Sequence, residues 1–257
     1  MKILVTFALD NEFAPWRAMH DFRPGRWGNV EAYFAEIDGA EVGVVLTGVG
    51  PETAGVRASG VIWSESDSIG VCISSGLTGG LKKGFAIGEV LAARMLRTAS
   101  VHSDLNSNNL DCTKALVSFA EEMGATVVSR FFTSQQAIVW AGEKRRLSDT
   151  ADAVDMESFE IVKEAVVFGI PAIAVRAVSD LADEDLPLDM NEVFTDQGKV
   201  SVPRVLGQIA RHPGSLRGLM RLGQQSKAAS EALARFLDRY VATVAERSAV
   251  LNARGAA

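Results

Sequence analysis

The 257-residue chain has few cysteines, few aromatic side chains and no long apolar run. Its two cysteines, Cys72 and Cys112, stand 40 residues apart with no C-x-x-C or histidine partner spacing, which argues against a disulfide framework and a structural zinc site. No metal or cofactor is implied. Aromatics make up only 7%, too few for a barrel of aromatic-rich hairpins. The longest uncharged stretch, residues 68–81, spans 14 residues and is broken by four glycines. It falls well short of the roughly 20 apolar residues that a membrane-spanning helix needs. The first apolar run, residues 3–9, stops at Asp10 with no small-residue cleavage site behind it, so it reads as a buried strand rather than a signal peptide. The expectation is a cytoplasmic protein.

What is present is ordinary for a soluble globular chain: 47% apolar residues, 23 glycines and a net charge of −6. Apolar β-rich runs at 2–9, 69–75, 85–96, 125–132 and 170–178 alternate with helical patterns at 51–63, 110–123 and 156–168. Residues 31–37 and 41–47 read as a hairpin across Asp38-Gly39. Pro51 opens a helix in its first turn. The pattern predicts an α/β fold with a central mixed, mostly parallel β-sheet flanked by helices, a three-layer sandwich.

Charge is unevenly spread. Residues 180–196 carry seven acidic side chains and no basic one, which describes an exposed acidic connection. Residues 203–240 carry seven basic side chains against two acidic, and Leu233, Phe236, Leu237, Tyr240, Val241 and Val244 recur at helical spacing. The chain therefore divides into a catalytic region, 1–185, and a helical C-terminal extension, 186–257, with a basic amphipathic segment. Two uses of 203–240 are open: packing on the domain or a partner, or peripheral contact with anionic lipid. The acidic remainder and the lack of a recognisable module argue against nucleic acid.

Polar segments that follow apolar strands lie at a sheet edge, where α/β proteins build ligand sites. Four stand out: Asp10-Asn11-Glu12, Ser74-Ser75-Gly76-Leu77-Thr78-Gly79-Gly80, Asp155-Met156-Glu157 and Ser179-Asp180. If their strands are neighbours, three carboxylates converge on a glycine loop. That loop lacks both the Lys-[Ser/Thr] of a P-loop and the G-x-G-x-x-G of a dinucleotide fold. Taken singly, Glu12 also fits a helix first turn and Asp180 an N-cap.

In order and spacing, the segments 8–12, Ser75-Gly76-Leu77-Thr78-Gly79-Gly80, Val154-Asp155-Met156-Glu157 and Val175-Arg176-Ala177-Val178-Ser179-Asp180 resemble the nucleoside phosphorylase superfamily. The nearest likeness is to its 5′-methylthioadenosine/S-adenosylhomocysteine nucleosidase branch, over residues 2–183. The long basic tail is more similar to the hopanoid-associated phosphorylases, proposed to strip adenine from adenosylhopane. The resemblance implies a purine nucleosidase acting on a 5′-substituted adenosine, with a small-molecule nucleoside as partner and a homodimer as assembly. It implies that Asp180 protonates the purine at N7 with Ser179 holding its carboxyl, and that Glu12 activates water. Glu157 would bind the ribose hydroxyls, with Met156 packed on the sugar. Leu77, Thr78 and Gly79 would line the site, and Ile138 and Val139 would hold the base where the family commonly stacks a phenylalanine.

These roles suit N-glycosidic cleavage, which passes through an oxocarbenium-like state and needs a neutralised leaving base. An exposed aspartate titrates at about 3.9, so an acid at neutral pH requires burial or a neighbouring anion. Phosphorylases of the superfamily place an arginine before the glycine loop, where this chain has Val71-Cys72-Ile73-Ser74, so water is the expected nucleophile. Arg57 and Arg176 are possible anion ligands, with the reading as structural or surface arginines favoured. A phosphate-dependent phosphorylase and a non-catalytic nucleoside-binding protein are the alternatives.

Overall fold

In the computed structural model, described over residues 1–99, 109–195, 197–212 and 214–247, strands and helices alternate along most of the chain. They are β1 (Lys2–Phe7), α1 (Asp10–Arg17), β2 (Arg23–Trp27), β3 (Val30–Ile37), β4 (Ala40–Leu46), α2 (Pro51–Glu65), β5 (Ile69–Gly80), β6 (Val90–Thr98) and β7 (Asn109–Asp111). There follow α3 (Lys114–Glu122), β8 (Thr126–Thr133), α4 (Ala141–Leu147), β9 (Ala153–Asp155), α5 (Ser158–Val167), β10 (Ala172–Asp180), α6 (Met190–Val193), α7 (Val202–Arg211) and α8 (Ser215–Glu246).

The class is α/β, and the sheet is mixed with its longest pairings parallel: β10 with β5, β6 with β8 and β1 with β4. It departs from a flat middle layer. β10 pairs with both β5 and β6, so β5, β9, β8, β6 and β10 close on themselves while β1, β4, β3 and β2 extend outward. Central strands are apolar on both faces because helices cover both: Ile3, Leu4, Val5, Val71, Cys72, Ile73 and Ala172–Val175 are fully buried.

The hairpin turn lies where expected, with Asp38 at φ 47° and Gly39 at φ 75°, as a two-residue primed turn demands. Three expectations are corrected. The Ser74–Gly80 glycine segment is the second half of the twelve-residue strand β5, held by pairing to β10 and β9, and is no loop. Residues 109–111 pair with β6 rather than opening a helix. The run from Phe85 becomes a strand only at Val90, after turns at Gly84 and Gly88 with φ 103° and 81°. Within the acidic connection, Asp183, Asp185, Asp189 and Glu192 are exposed, but Asp180 is buried as the last residue of β10; Asp196 lies outside the described residues.

The amphipathic stripe of the C-terminal segment packs inward. Leu233, Phe236, Leu237, Tyr240, Val241 and Val244 belong to the same buried core as the sheet, and Tyr240 Oη donates to Leu116 O at 2.9 Å. These side chains cannot meet lipid. Among the described residues no helix is long and apolar enough to cross a membrane.

Candidate active site

β1, β5 and β10 are successive neighbours in the sheet, so the polar ends of all three open on one edge. Glu12, in the first turn of α1, folds back so that Oε2 accepts from Ala8 N at 3.1 Å and Leu9 N at 3.4 Å. Glu157 follows β9, and Gly50 N donates to its Oε1 at 3.0 Å. Asp180 closes β10. A cavity of about 270 Å³ gathers Glu12, Leu77, Thr78, Gly79, Ile138, Met156, Glu157, Ser179 and Asp180. Val139 is not on its wall: it is buried behind, where its carbonyl accepts from Leu186 N at 2.8 Å. A larger, shallower groove at the opposite edge carries exposed, mutually paired charges such as Arg23–Asp21.

Backbone geometry explains two glycines here. Gly76 has φ +145°, and a Cβ on it would stand 3.2 Å from Glu12 Oε2. A Cβ on Gly79 would stand 3.0 Å from Asp180 Oδ1. The strand passes flush beside both carboxyls because neither residue has a side chain.

Arg176 is a structural arginine rather than a surface one: it is 1% exposed and sits among the acids. Its Nε lies 3.2 Å from Asp155 Oδ2, off the line of a hydrogen bond, while Nη2 donates to Ser74 Oγ at 3.1 Å. Asp155 is itself held by Thr133 Oγ1 at 2.7 Å and by the Ser158 hydroxyl. Arg57 keeps its structural reading, donating to Leu46 O at 2.7 Å.

Burial pushes the Glu12 carboxyl up to about 7, against the opposing pull of the Arg176 guanidinium and two backbone N–H groups. Burial raises Glu157 as well, opposed by Arg176 and reinforced by Asp155. Two buried carboxyls thus share one arginine. Asp180 is buried too, one of the two conditions named for an acid, and its close neighbour is a cation, Lys144, rather than an anion; Ser179 Oγ lies 2.9 Å from its Oδ2.

Several site groups escaped the sequence reading. The acidic partners of Arg176 had a signal: it is a lone charge inside an otherwise apolar strand, whose side chain must meet a buried partner. Lys144 had none, since Glu143-Lys144-Arg145-Arg146 reads as a solvated helix face. Met190, Phe194, Val200 and Leu222 also line the cavity, from a segment without any motif.

The profile of the phosphorylase superfamily matches residues 2–211, and the chain belongs to that superfamily. A 5′-methylthioadenosine/S-adenosylhomocysteine nucleosidase of Actinobacillus succinogenes is 24% identical over 213 residues, 75% of this chain and 90% of the relative. The nucleosidase of that name from Campylobacter jejuni superposes with a TM-score of 0.72 at 17% identity, covering 95% of this chain and 99% of its own. A futalosine hydrolase mutant of Helicobacter pylori superposes with a TM-score of 0.71 at 18% identity, covering 94% and 98%. Likeness therefore runs past residue 183, where the resemblance read from the motifs ended: the profile reaches residue 211 and the superpositions cover 94–95% of the chain.

Proposed function

We propose that the protein is a purine nucleosidase that hydrolyses the N-glycosidic bond of a 5′-substituted adenosine and releases adenine. The observation that carries this reading is the meeting of Glu12, Glu157 and Asp180 in one cavity, with Arg176 between the first two. Asp180 protonates the purine at N7 as the bond to C1′ breaks, and Ser179 holds its carboxyl. Glu12, with a carboxyl poised near neutrality, takes a proton from the attacking water. Glu157 accepts from the ribose hydroxyls, with Met156 against the sugar. Leu77, Thr78, Gly79 and Ile138 line the base end, where an aliphatic Ile138 replaces a stacked ring.

Water is favoured over phosphate because Arg176 is already engaged by Asp155, Ser74 and Glu157. A phosphate dianion bound there would face two buried carboxyls. In this reading residues 1–185 carry the chemistry, and Leu186, Met190, Phe194, Val200, Leu222 and Ser226 of the helical extension 186–257 close the cavity. The apolar Met190, Phe194, Val200 and Leu222 favour an apolar 5′ group, of which the hopane side chain of adenosylhopane is an extreme case.

Two finer features belong to the same proposal. Val202 and Leu206 on α7 and Leu216 and Met220 on α8 are exposed, and the same two helices carry the exposed Arg204, Arg211, Arg217 and Arg221, a combination suited to peripheral contact with anionic lipid. Val56 and Trp63 on α2, and Val166 and Val167 on α5, expose an apolar face that supports a homodimer. The reading is tested by incubating the protein with adenosines bearing 5′ groups of increasing apolar length. Adenine release that rises with that length supports it, and release from none of them overturns it.

A further inference from the structure

Burying an ammonium is costly unless each N–H finds an acceptor. Lys144 meets that condition: its side chain is fully buried, and Nζ donates to Asp180 Oδ1, to Leu181 O at 2.9 Å and to Glu184 O at 3.0 Å. All three N–H groups are used. The other carboxyl oxygen of Asp180 is engaged separately, since Ser179 Oγ lies 2.9 Å from Oδ2 and 3.2 Å from Thr78 O. A hydroxyl has one proton to give. Ser179 therefore donates to an ionised Asp180, or donates to Thr78 O and accepts from a protonated one. A proton can leave Oδ2 while Oδ1 stays on Lys144. The surrounding chain holds this pair in place, with Ala141 N on Asp185 Oδ1 at 2.7 Å and Leu186 N on Val139 O at 2.8 Å.

We propose that Lys144 is a positioning residue for departure of the base, acting through Asp180; the inference rests on the reading of Asp180 as the acid. As the C1′–N9 bond breaks, its electron pair passes to the purine, and the proton on Asp180 moves to N7. Asp180 becomes a carboxylate, and Glu12 gains the proton lost by the water that adds to C1′, so protons balance. Asp180 takes up that proton from solvent before the step, and the ammonium, by holding Oδ1, leaves Oδ2 as the oxygen that carries it to N7, a positioning role that acts on kcat rather than on binding.

The test uses the full chain with Lys144→Met and Lys144→Arg, and two donors: 5′-methylthioadenosine, and a 4-nitrophenyl riboside with the same 5′ group, whose leaving group departs without a proton. Lys144→Met is expected to lose kcat on the adenosine by about 10²-fold, the scale of a misplaced catalytic group, with KM changed by no more than a few-fold. On the nitrophenyl donor it stays near wild type. Lys144→Arg recovers part of the loss and carries the same comparison if the methionine variant does not fold. In an Asp180→Asn background, Lys144→Met costs nothing further. Equal losses on both donors, or losses that multiply with Asp180→Asn, would show a merely structural lysine. An active wild type with an unaffected Lys144 variant overturns this inference alone. A wild type that cleaves neither donor overturns the nucleosidase reading, and the role of Lys144 with it.

Discussion

Arg176 Nη2 stands 3.9 Å from Glu157 Oε2, close enough to attract it and too far to hydrogen-bond it. The guanidinium is fixed instead by Asp155 and Ser74. Glu157 therefore keeps its acceptor capacity for a ligand.

Replacing Asp180 by Asn keeps the side-chain shape but removes the proton. Base release from a 6-aminopurine nucleoside should fall by about 10²–10⁴-fold, with substrate affinity retained in a binding titration. Near wild-type turnover would remove Asp180 from the acid's role.

Glu12 links activity to stability. Its folded-state carboxyl, near 7, lies above the ordinary value of 4.5, so between those limits the folded protein holds a proton that the unfolded chain has lost. This group's contribution to stability therefore declines as pH rises through that window. Glu12→Gln should be more stable than wild type at pH 8, by on the order of 3 kcal/mol, and equal to it at pH 4. Chemical denaturation at both pH values checks this, and a difference independent of pH contradicts it. Hydrolysis by wild type should rise through about pH 7 and be lost in the variant.

Leu237 is fully buried on α8 among core residues of the sheet. Leu237→Ala should cost about 2–5 kcal/mol of unfolding free energy, the range for a leucine cavity. A cost below 1 kcal/mol would mean that α8 is not part of the cooperative core.

Helices α7 and α8, which expose Val202, Leu206, Leu216 and Met220, should bring the protein down with anionic vesicles but not with neutral ones, and high salt should release it. Leu206→Glu with Arg204→Glu should abolish sedimentation. Equal partitioning to both vesicle types, or none to either, contradicts a lipid-facing role.

The sheet and the meeting of three carboxyls were legible because they rest on local pattern: continuous apolar strands, and polar residues where those strands end. Glu12 and Glu157 follow β1 and β9 and Asp180 ends β10, and the adjacency of β1, β5 and β10, with β9 paired to the end of β5, brings them together. What escaped depends on distant chain. Residues Arg23–Trp27 carry no strand pattern of their own, and pairing with β3 makes them an edge strand. Lys144 is buried only because the segment after β10 folds over α4. The closing of the sheet through the second pairing of β10 has no sequence signature, since β10 is apolar on both faces under either topology.

The central claim is that water, not phosphate, takes the sugar. The most direct measurement incubates the pure protein with 5′-methylthioadenosine, first without phosphate and then with saturating phosphate, while quantifying adenine and sugar 1-phosphate. The account predicts the same rate of adenine release in both, with free sugar as the co-product. Adenine release that requires phosphate and yields the sugar 1-phosphate would contradict it.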